Sequence, residues 1–219
     1  MKKVLIAPSL LSADFTHLKD DIDLVDAAKA DWLHFDVMDG HFVPNISFGV
    51  PIFKYVSKIS PLVNDVHLMI SAPQDYYKKF IDLGAQYITF HYEAFNNNAD
   101  INKLIDEIHK CGAKAGLSIK PNTNVEVILP FIKDLDLILI MAVEPGFGGQ
   151  SFISNSLAKI AYLRKYIDEN ELSTLIEVDG GINEITAKLV KDAGADVLVA
   201  GSYLFGHGDI KERIALLKE

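Results

Sequence analysis

Short apolar, strand-like runs alternate with amphipathic, helix-like runs along the whole of this 219-residue chain, and few folds accommodate that grammar. The strand-like runs are Val4–Pro8, Trp32–Met38, Val63–Ile70, Tyr87–His91, Lys114–Ile119, Leu137–Val143, Leu175–Asp179 and Val197–Ala200. Helix-like runs lie between them, near 17–29, 50–58, 73–84, 100–111, 124–133, 155–169, 184–193 and 209–218. Pro51 and Pro73 suit a first helical turn, while Gly84, Gly112 and Gly194 suit helix ends. Eight alternations in this length predict the α/β class and a single (β/α)8 TIM barrel, one domain over residues 1–219. An open doubly wound sheet shares the local pattern. Two features favour the barrel. No strand is followed by a complete G-x-G-x-x-G helix start, and polar residues recur at the C-terminal ends of many strands. Ser9, His34, Asp36, His67, His91, Lys120 and Asp179 all lie at or near such ends, which in a barrel share one mouth.

The opening of the second alternation is the richest stretch. In Leu33–Asn45, His34, Asp36 and Met38 share one side of a strand, with Phe35 and Val37 on the other, before Asp39-Gly40 turns the chain. His41 to Asn45 is expected to form a loop over the mouth. Imidazole and carboxylate two residues apart on one face are divalent-metal ligand types. Asp65-Val66-His67-Leu68-Met69 repeats the pattern, and Asp179 ends Ile176-Glu177-Val178-Asp179. On this count His34 and Asp36 come from strand two, His67 from strand three and Asp179 from strand seven, across the mouth. Two imidazoles and two carboxylates would then converge, with room for substrate oxygens. Each residue alone has a plainer reading, as a core histidine or a turn-capping aspartate. Four of matching parity at strand ends are harder to assign to packing, because buried Asp and His are costly without a metal or mutual hydrogen bonds.

A second signal is glycine. Strand six runs into Glu144-Pro145-Gly146-Phe147-Gly148-Gly149-Gln150-Ser151-Phe152, whose glycines let backbone N–H groups approach an anion. Gly180-Gly181 and Gly201-Ser202 follow strands seven and eight, where barrels commonly bind phosphate. Together they imply a phosphorylated substrate held by neutral donors. Three of the four methionines, Met38, Met69 and Met141, lie near strand ends. They suit either gap-filling in the barrel core or a water-poor lining beside an anionic intermediate.

Composition sets the outer limits. The formal charge of −9 argues against nucleic acid as a partner, since nucleic-acid binding needs clustered positive charge. No run of about 18 apolar residues appears, so no membrane association is expected. The first residues carry Lys2-Lys3, but the apolar stretch stops at Pro8 and reads as a strand rather than a signal peptide. Cys111 is alone, which excludes an internal disulfide and suits the cytoplasm; packing at a helix end is its expected role.

Ala7-Pro8-Ser9-Leu10-Leu11-Ser12-Ala13-Asp14-Phe15, the stretch through Asn45, Asp65–Met69, Glu144–Phe152 and Glu177–Ile182 together resemble the ribulose-phosphate 3-epimerase family, in order and over nearly the whole chain. The resemblance implies an enzyme of the pentose phosphate pathway that interconverts D-ribulose 5-phosphate and D-xylulose 5-phosphate on a (β/α)8 barrel with one divalent metal ion. Zinc, iron(II), manganese and cobalt all accept such a site. By similarity His34, Asp36, His67 and Asp179 are the metal ligands, and Asp36 and Asp179 the catalytic acid/base pair. Ser9, His67, Gly146, Phe147, Gly148, Gly149, Asp179, Gly180, Gly181, Gly201 and Ser202 match substrate-contact positions, and a homo-oligomer is implied. The chemistry is consistent: inverting carbon 3 needs a proton removed from one face and another delivered to the opposite face.

Asn96–Asn98 after strand four and Tyr203 after Gly201-Ser202 depart mildly from the family pattern. The related allulose-6-phosphate epimerases share the metal motif, so a six-carbon ketose phosphate is the alternative substrate. A metal-independent sugar-phosphate lyase would use Lys120, the one strand-end lysine. A non-catalytic sugar-phosphate sensor would have no use for the acid/base pair.

Overall fold

The computed structural model describes residues 4–219. Residues 1–3, with the basic pair Lys2-Lys3, lie outside the described residues. Eight parallel strands form one sheet: β1 (Leu5–Pro8), β2 (Trp32–Met38), β3 (Val63–Met69), β4 (Tyr87–His91), β5 (Lys114–Ile119), β6 (Leu137–Met141), β7 (Leu175–Asp179) and β8 (Val197–Ala200). Hydrogen-bonded ladders join them in the order β1-β8-β7-β6-β5-β4-β3-β2. β1 and β2 then meet through an isolated Ser9–His34 bridge, and Asp31 both donates its N–H to Ile6 O and accepts the Ile6 N–H on Oδ2, each at 3.0 Å. The sheet thus curls into a nearly closed (β/α)8 barrel, as the alternation predicts.

Among the described residues, seven α-helices cover it: α1 (Leu18–Ala27), α2 (Val50–Ile59), α3 (Tyr77–Ile81), α4 (Asn98–Lys110), α5 (Asn155–Glu169), α6 (Glu184–Ala193) and α7 (Ile210–Lys218). The helix expected over 124–133 is absent: a short 3-10 turn, Val125–Ile128, stands there. Pro130 has no N–H to give an α-helix, although Leu129 ahead of it keeps helical angles at φ −53° and ψ −37°. Ile128, Phe131 and Ile132 still bury completely, so apolar burial supplies the cover without the helix. The run at 73–84 likewise divides into a 3-10 turn, Pro73–Asp75, and α3, with Tyr76 at φ −123° between them. Strand ends were otherwise legible to within a residue or two. β1 omits Val4, β3 stops before Ile70 and β6 before Ala142.

Parity sorts the strand side chains. In β2, buried along its whole length, Phe35 points outward and packs its ring 4.3 Å from Phe48 and 5.0 Å from Phe53. Truncating such a buried phenylalanine costs about 3–5 kcal/mol. One inward apolar set holds Ala7, Trp32, Leu137, Leu139, Val197 and Val199, of which Val199 pairs with Asp179 and reaches the mouth. Other inward positions are polar: His34, Asp36, Asp65, His67, Thr89, His91, Ser118 and Glu177 are all buried. The two-residue period therefore carries chemistry toward the C-terminal mouth.

Candidate active site

Register brings the key residues of neighbouring strands together. Asp36 of β2 pairs with His67 of β3, His34 with Asp65, and Met38 with Met69. On the far side Met141 of β6 pairs with Asp179 of β7. One ligand atom from each of His34, Asp36, His67 and Asp179 lies within 4.8 Å of the others. Both histidines reach the same oxygen, with His34 Nε2 and His67 Nδ1 each 3.2 Å from Asp36 Oδ1. The other oxygen, Oδ2, accepts the Ser9 hydroxyl at 2.6 Å.

Charge in this cluster is strongly biased. Burial opposes ionisation of Asp36, but His34 and His67 outweigh it and hold its carboxyl far below the usual range. Asp179, enclosed by protein although its side chain faces the mouth, is pushed up to about 7 by burial and by the Asp36 charge. Burial works against a charged His34, yet Asp36 and Asp65 raise its pKa well above the ordinary value. Burial pulls His67 down. Two carboxylates with opposed acidities in one cleft are a recognised arrangement for paired acid/base work.

A cavity of about 550 Å³, including its open entrance, lies over the cluster. Ser9, Asp36, Met38, Met69, Met141, Asp179 and the loop glycines Gly146, Gly148, Gly149, Gly180, Gly181 and Gly201 line it, together with Phe147 and Ser202. His34 and His67 sit beneath this lining, fully buried, so the expected substrate contact of His67 would have to be made past the residues above it. The three methionines do form part of the wall. Lys120 is not in the lining; its ammonium lies over the Phe42 ring, 4.0 Å from the centroid.

The loops around the mouth are pinned. Asn45 donates to Gly146 O at 2.7 Å, tying the loop after β2 to the glycine loop after β6. Gln150 closes that glycine loop on itself, donating to the carbonyls of Glu144 and Phe147. Asp39 accepts three N–H groups, from His41, Phe42 and Ser71, which hold its pKa to about 2. Gly181 has φ +64°, and a Cβ there would come within 2.7 Å of Phe152 N, so the close turn after β7 requires glycine.

Sequence reasoning passed over a lower polar layer. Asp65 Oδ2 lies 2.5 Å from His34 Nδ1, and Glu177 Oε1 lies 3.7 Å from the same nitrogen. Burial and Asp65 push Glu177 well above the carboxylate range. His91, a polar strand end by sequence, contacts His67 through ring nitrogens 2.9 Å apart and faces Glu93. Burial lowers His91 to about 4, and Glu93 is held at about 2 against burial by His91, Thr123 and Lys120. Leu11, Ser12 and Gln150, also in the cavity wall, were unassigned. Parity marked Asp65 and Glu177, each two residues before a candidate ligand, as inward; their partners depend on the barrel's radius.

Known proteins share this architecture. Solved structures of 3-keto-L-gulonate-6-phosphate decarboxylase from Vibrio cholerae (TM-score 0.72, 14% identity, 99% of this chain and 96% of that one) and of 3-hexulose-6-phosphate synthase from Salmonella typhimurium (TM-score 0.66, 17% identity, 98% and 97%) match in fold. Sequence similarity goes further. Ribulose-phosphate 3-epimerase of Bacillus subtilis is 46% identical over 214 residues, covering 97% of both chains. The enzyme of that name from Mycobacterium bovis is 44% identical over 214 residues, covering 98% of this chain and 91% of the relative. That of Chlamydia muridarum is 44% identical over 224 residues, covering 100% and 97%. The sequence model of the ribulose-phosphate 3 epimerase family matches residues 5–205, and the chain belongs to that family.

Proposed function

We propose that the chain interconverts D-ribulose 5-phosphate and D-xylulose 5-phosphate by proton transfer at carbon 3, using Asp36 and Asp179 as base and acid. The observation that carries this reading is the convergence of those two carboxyls, one strongly acidic and one near 7, at the floor of a cavity whose rim is built from glycine loops. One aspartate takes the carbon-3 proton, the other delivers a proton to the opposite face, and the roles exchange in the reverse direction. Met38, Met69 and Met141 keep water from reprotonating the wrong face. The loops carrying Gly146–Gly149, Gly180-Gly181 and Gly201-Ser202 offer backbone N–H groups to the phosphate.

The donor set fits a divalent metal. If His34 gives its Nδ1 hydrogen to Asp65, its Nε2 lone pair points at Asp36 Oδ1, the oxygen that His67 Nδ1 also faces. Lone pairs converging on one carboxylate oxygen call for a cation, and mixed imidazole and carboxylate ligands suit zinc, iron(II), manganese or cobalt. His34, Asp36, His67 and Asp179 would hold it, and its binding would release the extra proton that the carboxylates draw to His34. Such an ion would make the carbon-3 proton more acidic by stabilising charge on the neighbouring substrate oxygens.

The test is incubation with five- and six-carbon ketose phosphates in deuterated water, with metal analysis of the same preparation. Deuterium at carbon 3 of the pentose phosphates is expected. Exchange confined to a six-carbon substrate would transfer the assignment to an allulose-6-phosphate epimerase, and binding without exchange would indicate a sensor.

A further inference from the structure

A chain of side chains runs sideways from buried His67 and His91 to half-buried Glu93 in the barrel wall. His67 Nε2 lies 2.9 Å from His91 Nε2, and the two rings stack with centroids 5.0 Å apart. His91 Nδ1 lies 3.2 Å from Glu93 Oε2. The other carboxylate oxygen, Oε1, accepts the Lys120 N–H at 2.7 Å and the Thr123 hydroxyl. The loop supplying those donors is held by Lys159, whose Nζ donates to the carbonyls of Pro121 and Thr123 at 2.6 Å and of Lys120 at 3.2 Å.

Hydrogens along this chain can be counted. A carboxylate only accepts, so His91 carries its hydrogen on Nδ1, facing Glu93. A neutral imidazole has one N–H, so His91 Nε2 is an acceptor and His67 Nε2 must be the donor to it. His67 Nδ1 is then bare, and it faces Asp36 Oδ1 at 3.2 Å. The Asp36 carboxylate at the other end would by the same rule draw a hydrogen to His67 Nδ1, so the Glu93 charge sets the direction once a cation occupies the site beside Asp36.

We propose that His91 and Glu93 are positioning residues that fix the tautomer of His67, leaving its Nδ1 lone pair aimed at the cation site beside Asp36. This rests on the metal reading above. Neither residue is in the cavity lining, so their action passes through His67 rather than through the sugar. Replacing Glu93 with glutamine reverses the chain. Lys120 N–H and Thr123 hold the amide oxygen, so the amide NH2 faces His91 Nδ1. His91 must then donate from Nε2, and the His67 hydrogen moves to Nδ1, the atom that would bind the metal.

The experiment is two-bond proton–nitrogen correlation NMR on 15N-histidine protein, with zinc affinity measured by competition against a chromophoric chelator. Wild type titrated with zinc should show His91 protonated on Nδ1 and His67 on Nε2, a reading that needs no variant to fold. Glu93→Gln should weaken zinc binding by about 10–100-fold, the usual cost of losing the partner that orients a ligand histidine. Thr123→Val, which keeps the carboxylate, should bind zinc within about threefold of wild type on the same scale. His91 protonated on Nε2 in zinc-titrated wild type, unchanged zinc affinity in Glu93→Gln, or an equal loss in Thr123→Val would each overturn the proposal. If wild type binds no zinc while both tautomers are as stated, the metal reading fails and the tautomer assignment stands.

Discussion

Asp36 and Asp179 bring carboxyl oxygens within 4.8 Å of each other from opposite sides of the barrel mouth, yet their surroundings drive them apart in acidity. Asp36 is flanked by two imidazoles and a serine hydroxyl, whereas Asp179 meets burial and a neighbouring negative charge. The pair is asymmetric by construction, as a two-faced proton transfer requires.

Replacing either carboxyl should therefore stop turnover. Asp36→Asn and Asp179→Asn are each expected to lower kcat by about 10²–10⁴-fold, the range for a lost general acid or base. Carbon-3 deuterium exchange measured in both directions checks this, and retained exchange in both variants would sink the two-carboxylate mechanism.

Asp179 should make the stability of chelator-treated protein fall as pH rises, against an opposing rise from His67 and His91, whose pKa values burial holds below the ordinary value. The Asp179 pKa is raised from 3.8 to about 7, so between those values the unfolded chain releases a proton that the folded chain keeps. Binding more protons in the folded state means stability drops across that window and then levels. Thermal melts from pH 4 to pH 8 should show this fall as the difference between wild type and Asp179→Asn, since the histidine contribution is common to both. A bound divalent cation, which favours the carboxylate, should flatten it. A fall of equal size in Asp179→Asn would assign it to another group, such as Glu177.

Ser9→Ala removes the 2.6 Å hydrogen bond to Asp36 Oδ2. A hydrogen bond to a charged group contributes about 1.5–3 kcal/mol, so activity should drop by roughly 10–100-fold where that bond stabilises the reacting geometry. Metal content should stay at the wild-type level, because Ser9 touches the oxygen that the histidines do not. Loss of metal would instead make Ser9 part of the ligand scaffold.

Gly181→Ala forces a side chain into a left-handed backbone and against Phe152. The strain of about 1–3 kcal/mol should lower the Tm by several degrees. If this turn offers N–H groups to the phosphate as proposed, displacing it should also raise KM for the sugar phosphate about tenfold, as a lost binding interaction does. Inorganic phosphate as a competitive inhibitor gives the independent readout, and unchanged inhibition would remove this loop from the phosphate site.

Much of this site was legible because strand parity is a local property. His34, Asp36, His67 and Asp179 could be placed on inward faces by counting residues, and the glycine loops could be placed at the mouth by following strands six to eight. Helical cover was less legible. Ile128, Phe131 and Ile132 have helical spacing, but Pro130 lacks the N–H that the suggested helix would use. The link between His67, His91 and Glu93 was hidden for another reason. Which inward side chain touches which depends on strand stagger and barrel radius, set by all eight strands together.

The junction between β1 and β2 has a mechanical meaning. Elsewhere around the sheet, among the described residues, ladders of backbone hydrogen bonds hold adjacent staves; here a single bridge does so, with Asp31 below it and the Ser9–Asp36 contact above. The Asp36 carboxylate is thus also a clasp. Protonating it or loading it changes how tightly the hoop is drawn, so breathing of the barrel should be concentrated at this joint and should track the chemical state of Asp36.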